Sequence, residues 1–188
     1  MLNKTLKHSF LRSSLYLTSW VQKMVEGVVN AKLIQAAQDM IDELSINLGK
    51  DKVSDDMPTR LVYRITHGPE ALLHENLEEF TPAAVVRPTS TEDVQTIAKL
   101  ADKYDVPIVP QGGRTCTYGA EAMRDCIVID TASINKILEI DEGSYRITAE
   151  AGVRVVDFTR YLEERGFLCV DFPTMNKAAT LGARAALH

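Results

Sequence analysis

One stretch constrains this chain more than any other: Pro110-Gln111-Gly112-Gly113-Arg114-Thr115-Cys116-Thr117-Tyr118-Gly119-Ala120. It follows the apolar run Val106 to Val109, which reads as a buried strand. Paired glycines after a strand let the backbone turn sharply and approach a ligand. Successive N–H groups in such a turn can converge on one concavity and hold an anion, with the hydroxyls of Thr115 and Thr117 as further donors. An ordinary strand-to-loop turn would carry the same residues. Two known phosphate loops are excluded. No Gly-Lys-Ser/Thr follows at Walker spacing, and no Gly-x-Gly-x-x-Gly opens a long helix.

The remainder of the chain bounds the class. Its 188 residues suffice for one domain with a real core. With 21 Lys and Arg against 26 Asp and Glu the formal charge is -5, which argues against a dedicated nucleic-acid binder. Cys116, Cys126 and Cys169 form an odd set with no Cys-x-x-Cys, which suggests neither a disulfide framework nor a zinc site and fits a reducing compartment. No apolar run approaches the roughly 20 residues of a membrane span. The expected location is cytoplasmic.

The first 27 residues differ from the rest. Lys4, Lys7, Arg12 and Lys23 precede the first acidic residue, and Leu2, Leu6, Phe10, Leu17, Val21, Met24 and Val28 recur at helical spacing. Such a segment can contact the cytoplasmic membrane face peripherally. It can equally pack on the domain, or be a leader ahead of a true start at Met24 or Met40. Arg12 and the interspersed Ser and Thr argue against a secretory signal.

A second helical stripe, Val29, Leu33, Ala37, Met40, Leu44 and Leu48, closes at Gly49. Lys50 to Thr59 reads as a polar connection, and His67-Gly68-Pro69 as a turn. His67 and His74 lack a partner at metal-ligand spacing. Residues 1–52 are therefore expected to form a helical extension and 53–188 the main domain. Within the latter, Val85-Val86 begins a strand, and Thr89-x-x-Glu92 is expected to be a capping box for a helix that ends before Pro107. Ile127 to Ile129, Ile137 to Asp141, and the alternating Tyr145 to Glu150 read as strands. A helix is expected from Val153 to Arg165, then a last short strand, Leu168-Cys169-Val170. This irregular alternation fits a mixed α+β unit better than a doubly wound parallel sheet.

Four ordered blocks carry a family resemblance. The glycine loop resembles the pyrophosphate-binding loop of FAD-linked oxidases of the vanillyl-alcohol oxidase and p-cresol methylhydroxylase type. The nearest resemblance is to the D-lactate/glycolate dehydrogenase branch, with Pro110, Gly112, Gly113, Thr115 and Gly119 matching its pattern. Pro82 to Val94 resembles the strand and helix start that precede that loop. Glu150-Ala151-Gly152-Val153 and Ala179-Thr180-Leu181-Gly182 resemble two later blocks in the right order.

The resemblance implies the first subdomain of that FAD-binding fold, with N-terminal helices added. It implies FAD as cofactor, held by Pro110, Gln111, Gly112, Gly113, Arg114, Thr115, Cys116 and Gly119, and farther on by Pro173, Thr180, Gly182 and Ala183. The family usually has Gly at the position of Arg114, Ser at Cys116 and a second Gly at Ala183. Arg114 can pair with a phosphate or point to solvent, and Cys116 reads as a packed thiol or a reactive one. Some relatives attach flavin through a His near Thr115; this loop has none, which implies noncovalent FAD. No carboxylate pair, Ser/His/Asp set or Cys/His set stands out as catalytic.

The implied activity is oxidation of a small D-2-hydroxy acid, such as D-lactate or glycolate, with electrons passing to an unidentified acceptor. Two alternatives stay open. One is a non-catalytic flavin- or nucleotide-binding module acting with a partner chain. The other is a flavoenzyme of the same family acting on a sugar, an alditol or an ether-lipid precursor. Because the resemblance stops near Gly182, the chain is expected to be the N-terminal part of a longer protein. The substrate-binding residues would then follow His188, and this part alone would be inactive.

Overall fold

The computed structural model of the chain describes residues 31–64, 77–116, 122–169 and 175–187. The basic segment 1–27, the turn at 67–69, His74, residues 117–120, Val170 and the segment 171–174 lie outside them. Helix α1 covers residues 31–48. Ala37, Met40, Ile41 and Leu44 form its buried stripe, and Gly49 stops it at φ 99°, a left-handed conformation that costs glycine little.

The stretch after Gly49 holds more structure than its polar composition suggests. A 3₁₀ turn, Lys50–Lys52, leads into strand β1, Val53–Ser54, and then helix α2, Met57–Tyr63. Asp56 caps α2 by accepting a 2.9 Å bond from the Thr59 N–H, and Pro58 sits in the first turn, where its missing N–H is harmless.

Strand β2, Ala84–Val86, is followed by helix α3, Thr91–Tyr104. The cap of α3 lies one residue beyond the expected Thr89-x-x-Glu92 box. Ser90 Oγ accepts from the Asp93 N–H at 3.1 Å, while Asp93 Oδ2 accepts from the N–H and hydroxyl of Thr89. Tyr104 ends α3, and Asp105 closes it in the left-handed region, just ahead of Pro107.

Strand β3 is Ile108–Gln111, shifted toward the glycines from the expected Val106 to Val109. Strands β4, Ile127–Asp130, β5, Ile137–Asp141, and β6, Arg146–Ala149, fall where the apolar runs place them. Helix α4 is Val155–Glu163, shorter at both ends than expected, and helix α5 is Leu181–Leu187. Leu168 and Cys169 are not in a strand.

The main sheet has the order β1-β2-β4-β3. Strands β2, β4 and β3 run parallel, with Val85 opposite Val128 and Val109 opposite Val128, while β1 joins β2 antiparallel. Strand β3 lies at the edge, so Pro110 breaks no interior ladder. The central strands β2 and β4 are buried on both faces, as parallel strands covered by helices must be. On one face Ala84, Val86, Ile127 and Ile129 pack with Met40 and Leu44 of α1 and Ile97 and Leu100 of α3. On the other, Val85 and Val128 pack with Ala122 and Cys126, and Tyr63 of α2 leans on them. Residues on both sides of the expected boundary at 52/53 thus share one core. Strands β5 and β6 form a separate antiparallel hairpin.

Candidate functional site

Three parallel strands end together. Val86 leads to Arg87, Gln111 to Gly112, and Asp130 to Thr131. A ligand crevice in an open parallel sheet lies outside such carboxyl ends. Here a cleft of about 510 Å³ opens there. Gly112 and Gly113 form one wall and Ala132 and Asn135 another. Gly152, Arg154 and Asp157 form a third, and Ala178 and Thr180 complete it.

Backbone hydrogen bonds fix these walls in series. The Gly152 N–H donates to Ile134 O at 2.8 Å and the Glu150 N–H to Lys136 O at 2.9 Å. The Val155 N–H then reaches Ala179 O, Leu181 N–H reaches Val153 O, and Gly182 N–H reaches Ala151 O. The blocks Glu150 to Val153 and Ala179 to Gly182, distant in sequence from the glycine loop, are thereby brought against it.

The glycines are required by contact. A Cβ on Gly112 would lie 2.2 Å from Thr180 Oγ1, one on Gly113 1.7 Å from Ala178 O, and one on Gly152 1.9 Å from Thr131 O. A Cβ on Gly182 would lie 2.7 Å from the Ala151 Cβ. The left-handed position of the loop belongs to Arg114, at φ 54°. That conformation costs a non-glycine residue about 1 kcal/mol.

The Arg114 side chain turns toward α2. Its Nη1 donates to Val62 O at 2.8 Å, and its guanidinium stacks 4.5 Å from the centre of the Tyr63 ring. Tyr63 is fixed in turn. Its hydroxyl donates to Asp130 Oδ2 at 2.5 Å, and Arg87 lies over the ring at 5.6 Å. Burial, then the bond to Asp130 and its charge, push the Tyr63 pKa up, outweighing Arg87. Gln111, 2% exposed, donates from Nε2 to Tyr63 O at 3.3 Å, and its own carbonyl accepts from Thr131 Oγ1.

Two sets of polar groups lie in the cleft wall and on the loop that continues from it. Among the described residues, the N–H groups of Gly113, Arg114 and Thr115 donate to no backbone carbonyl. Thr180 Oγ1 is buried with no hydrogen-bond partner among those residues, although Thr180 is only 2% exposed. A buried hydroxyl without a partner is costly, and its usual explanation is a group that completes it. At the rim, Arg154 Nε donates to Asp157 Oδ2 at 2.6 Å.

The comparisons with known proteins bear on the same residues. The family model described as "FAD binding domain" matches residues 82–186, from just before β2 through most of α5. The chain belongs to the FAD-binding domain family. Its cofactor is FAD. The chain is 29% identical over 146 residues to the glycolate oxidase subunit GlcD of Bacillus subtilis, covering 77% of this chain and 30% of the relative. It is 30% identical over 143 residues to the mitochondrial D-lactate dehydrogenase [cytochrome] of Arabidopsis thaliana, covering 75% and 24%. The structure of p-cresol methylhydroxylase with substrate bound matches with a TM-score of 0.66 at 23% identity, over 77% of this chain and 28% of that one. The mixed α+β fold is therefore the FAD-binding fold of the p-cresol methylhydroxylase type. The chain spans less than a third of the length of the curated relatives it matches.

The cleft of this FAD-binding domain fits a flavin nucleotide's diphosphate. Among the described residues it offers backbone N–H groups that meet no backbone carbonyl, a buried hydroxyl with no partner, and glycine walls that a side chain would fill. Of the residues singled out from the sequence, Gly112, Gly113 and Thr180 line the cleft. Pro110 and Gln111 lie in β3, Arg114, Thr115 and Cys116 lead away from it, and Gly182 and Ala183 open α5. Gly119 and Pro173 lie outside the described residues. Asn135, Arg154 and Asp157 went unnoticed, because an Asn after a 3₁₀ turn and an ion pair at a helix start carry no sequence signature. Among the described residues no group of His, Cys, Asp and Glu can hold a metal, and no helix is long and apolar enough to cross a membrane.

Proposed function

We propose that this chain supplies the FAD diphosphate cradle of an oxidoreductase acting on a small D-2-hydroxy acid. The observation that supports the cradle is the Thr180 hydroxyl, which has no hydrogen-bond partner among the described residues, beside a glycine wall whose N–H groups donate to no backbone carbonyl of those residues. Support for the substrate class comes from the names of the relatives, a glycolate oxidase subunit and a D-lactate dehydrogenase.

When bound, FAD supplies the two-electron redox chemistry. The protein's own part is positioning. The N–H groups of Gly113, Arg114 and Thr115 donate to phosphate oxygens, with Pro110 and Gln111 anchoring the loop in β3. The Thr180 hydroxyl donates from the opposite wall, and Cys116, Gly119, Pro173, Gly182 and Ala183 complete the cofactor's surroundings. With no His between Pro110 and Ala120, the flavin is held without a covalent bond to this loop.

Acid precipitation of the purified full-length protein tests the cofactor reading. All flavin is expected in the supernatant. Colour retained by the pellet defeats the noncovalent reading, and a protein that binds no flavin defeats the cradle. Turnover assays with a dye acceptor test the substrate reading. Reduction with D-lactate or glycolate, and none with alditols, is the expected pattern; the reverse pattern would reassign the substrate.

A further inference from the structure

Arg114 stands where the resemblance places a glycine, and its backbone takes the left-handed form that glycine adopts freely. A strained residue persists only where its surroundings hold it. Here the end of α2 does so through three contacts. Val62 O accepts from Arg114 Nη1 at 2.8 Å, the Tyr63 ring stacks on the guanidinium at 4.5 Å, and Tyr63 O accepts from Gln111 Nε2 at 3.3 Å. Tyr63 is held in turn, because its hydroxyl is bonded to Asp130 and the Arg87 guanidinium lies 5.6 Å from the ring centre. Asp130 in turn caps the 3₁₀ turn Thr131–Ser133 through Ala132 N at 3.0 Å, and Ala132 lines the cleft.

We propose that Tyr63 and Arg114 form a clamp that presets the glycine loop for the cofactor's phosphates. Both are positioning residues. The Arg114 side chain is held by α2, so only its backbone N–H serves the cleft. The proposal rests on reading the loop as the FAD cradle, but the clamp itself is a property of the cofactor-free protein. A flexible glycine at this position would have to be ordered on binding, whereas a clamped arginine is ordered beforehand. Planar stacking makes arginine the suitable cation, and lysine would not replace it fully.

Two measurements on the full-length protein separate the clamp from the cradle. The first is limited trypsin cleavage without FAD. Trypsin must take the Arg114 guanidinium into its specificity pocket, so the clamp protects the Arg114–Thr115 bond. Tyr63→Leu should speed cleavage there about tenfold relative to cleavage after Arg146, and Tyr63→Phe, which keeps the ring, should stay close to wild type. The second is FAD titration by flavin fluorescence. Arg114→Gly, which relieves the backbone and removes the clamp, should weaken FAD about tenfold with an unchanged or raised Tm. Arg114→Lys should fall between.

Equal cleavage in wild type and Tyr63→Leu overturns the clamp. So does Arg114→Gly binding FAD as tightly as wild type. If Tyr63→Leu fails to fold, with cleavage rising at all sites together, the Arg114→Gly titration decides. If the wild-type protein binds no FAD, the cradle reading fails, and the cleavage contrast alone decides the clamp.

Discussion

A β-carbon on Gly113 would lie 1.7 Å from the carbonyl oxygen of Ala178. The loop and the segment leading to Thr180 are therefore in backbone contact, and no side-chain rotamer relieves the clash. Backbone strain is not what excludes a side chain here, since Gly113 is not among the left-handed residues. Gly113→Val should push the two walls of the cleft apart, costing about 1–3 kcal/mol in urea unfolding and abolishing FAD binding. Gly113→Ala should act in the same direction, because the first carbon is already too many. A Gly113→Ala protein with wild-type stability would mean that the walls do not touch.

Lys52 and Asp93 join the region around β1 to the start of α3. Lys52 Nζ lies 2.7 Å from Asp93 Oδ2, and both side chains are mostly shielded from solvent. Burial works against the Asp93 carboxylate. The bond from Lys52 and those from the N–H and hydroxyl of Thr89 outweigh it and hold the carboxyl below its ordinary range. A depressed folded pKa stabilises above the unfolded value, about 3.9, and that stabilisation is lost as pH falls through the folded value. Asp93→Asn should therefore lower stability at pH 7 and flatten the acid limb of the stability curve below about pH 4. Asp93→Ala should cost about 1–3 kcal/mol at neutral pH. Parallel acid limbs for wild type and Asp93→Asn would show that Asp93 contributes no linkage.

Much of the fold was legible where burial leaves a pattern. Ile127 to Ile129 and Ile137 to Asp141 are strands, and the stripe Leu33, Ala37, Met40, Leu44, Leu48 is one helix, because those faces must be apolar to fill a core. Strand β1 was invisible because two residues carry no period. Helix α2 was missed because Lys50 to Thr59 reads as a polar connection; Asp56 ahead of a Pro in the first turn was the available signal. The capping box slipped by one residue, since Thr89 and Ser90 can both cap and only geometry shows that Thr89 serves Asp93 instead. The glycine loop and Thr180 were legible as a pattern. The Tyr63–Arg114 stack was not, because the two residues lie far apart in sequence and meet only through the fold.

Met40 tests whether α1 is part of the domain or an appendage. Its side chain is fully buried and shares one cluster with Val86, Ile97 and Ile127. Met40→Ala leaves a cavity there and should cost about 2–5 kcal/mol in a single unfolding transition. A loss below about 0.5 kcal/mol would mean that α1 folds apart from the sheet.

Cys126 should be chemically silent in the native protein. It lies beneath β4 with Val85, Ala122 and Val128, and burial pushes its thiol up to about 11. The thiolate is the reactive form, so at pH 8 the fraction available is small and access is blocked. Titration with a disulfide reagent at pH 8 should give the same native count for wild type and Cys126→Ala. In urea, the variant should show one thiol fewer. A native count lowered by Cys126→Ala would show that this face opens to solvent.

Thr180→Val separates a cofactor ligand from a structural residue. Valine has the shape of threonine without the hydroxyl, so packing against Gly112 and the bridge to Arg154 are kept. The hydroxyl has no partner among the described residues, so a purely structural account gains by its removal, which lifts the cost of a buried unsatisfied group. The cofactor-free variant should therefore be as stable as wild type or more so. If the hydroxyl is completed by FAD, the loaded protein loses one hydrogen bond, about 1–1.5 kcal/mol, and the affinity falls roughly tenfold. Opposite signs for stability and affinity in one isosteric variant are what a ligand-facing hydroxyl predicts. Calorimetric unfolding without FAD and a flavin fluorescence titration measure the two quantities. Unchanged FAD affinity would remove Thr180 from the cradle, and a destabilised cofactor-free protein would show that its hydroxyl serves the fold.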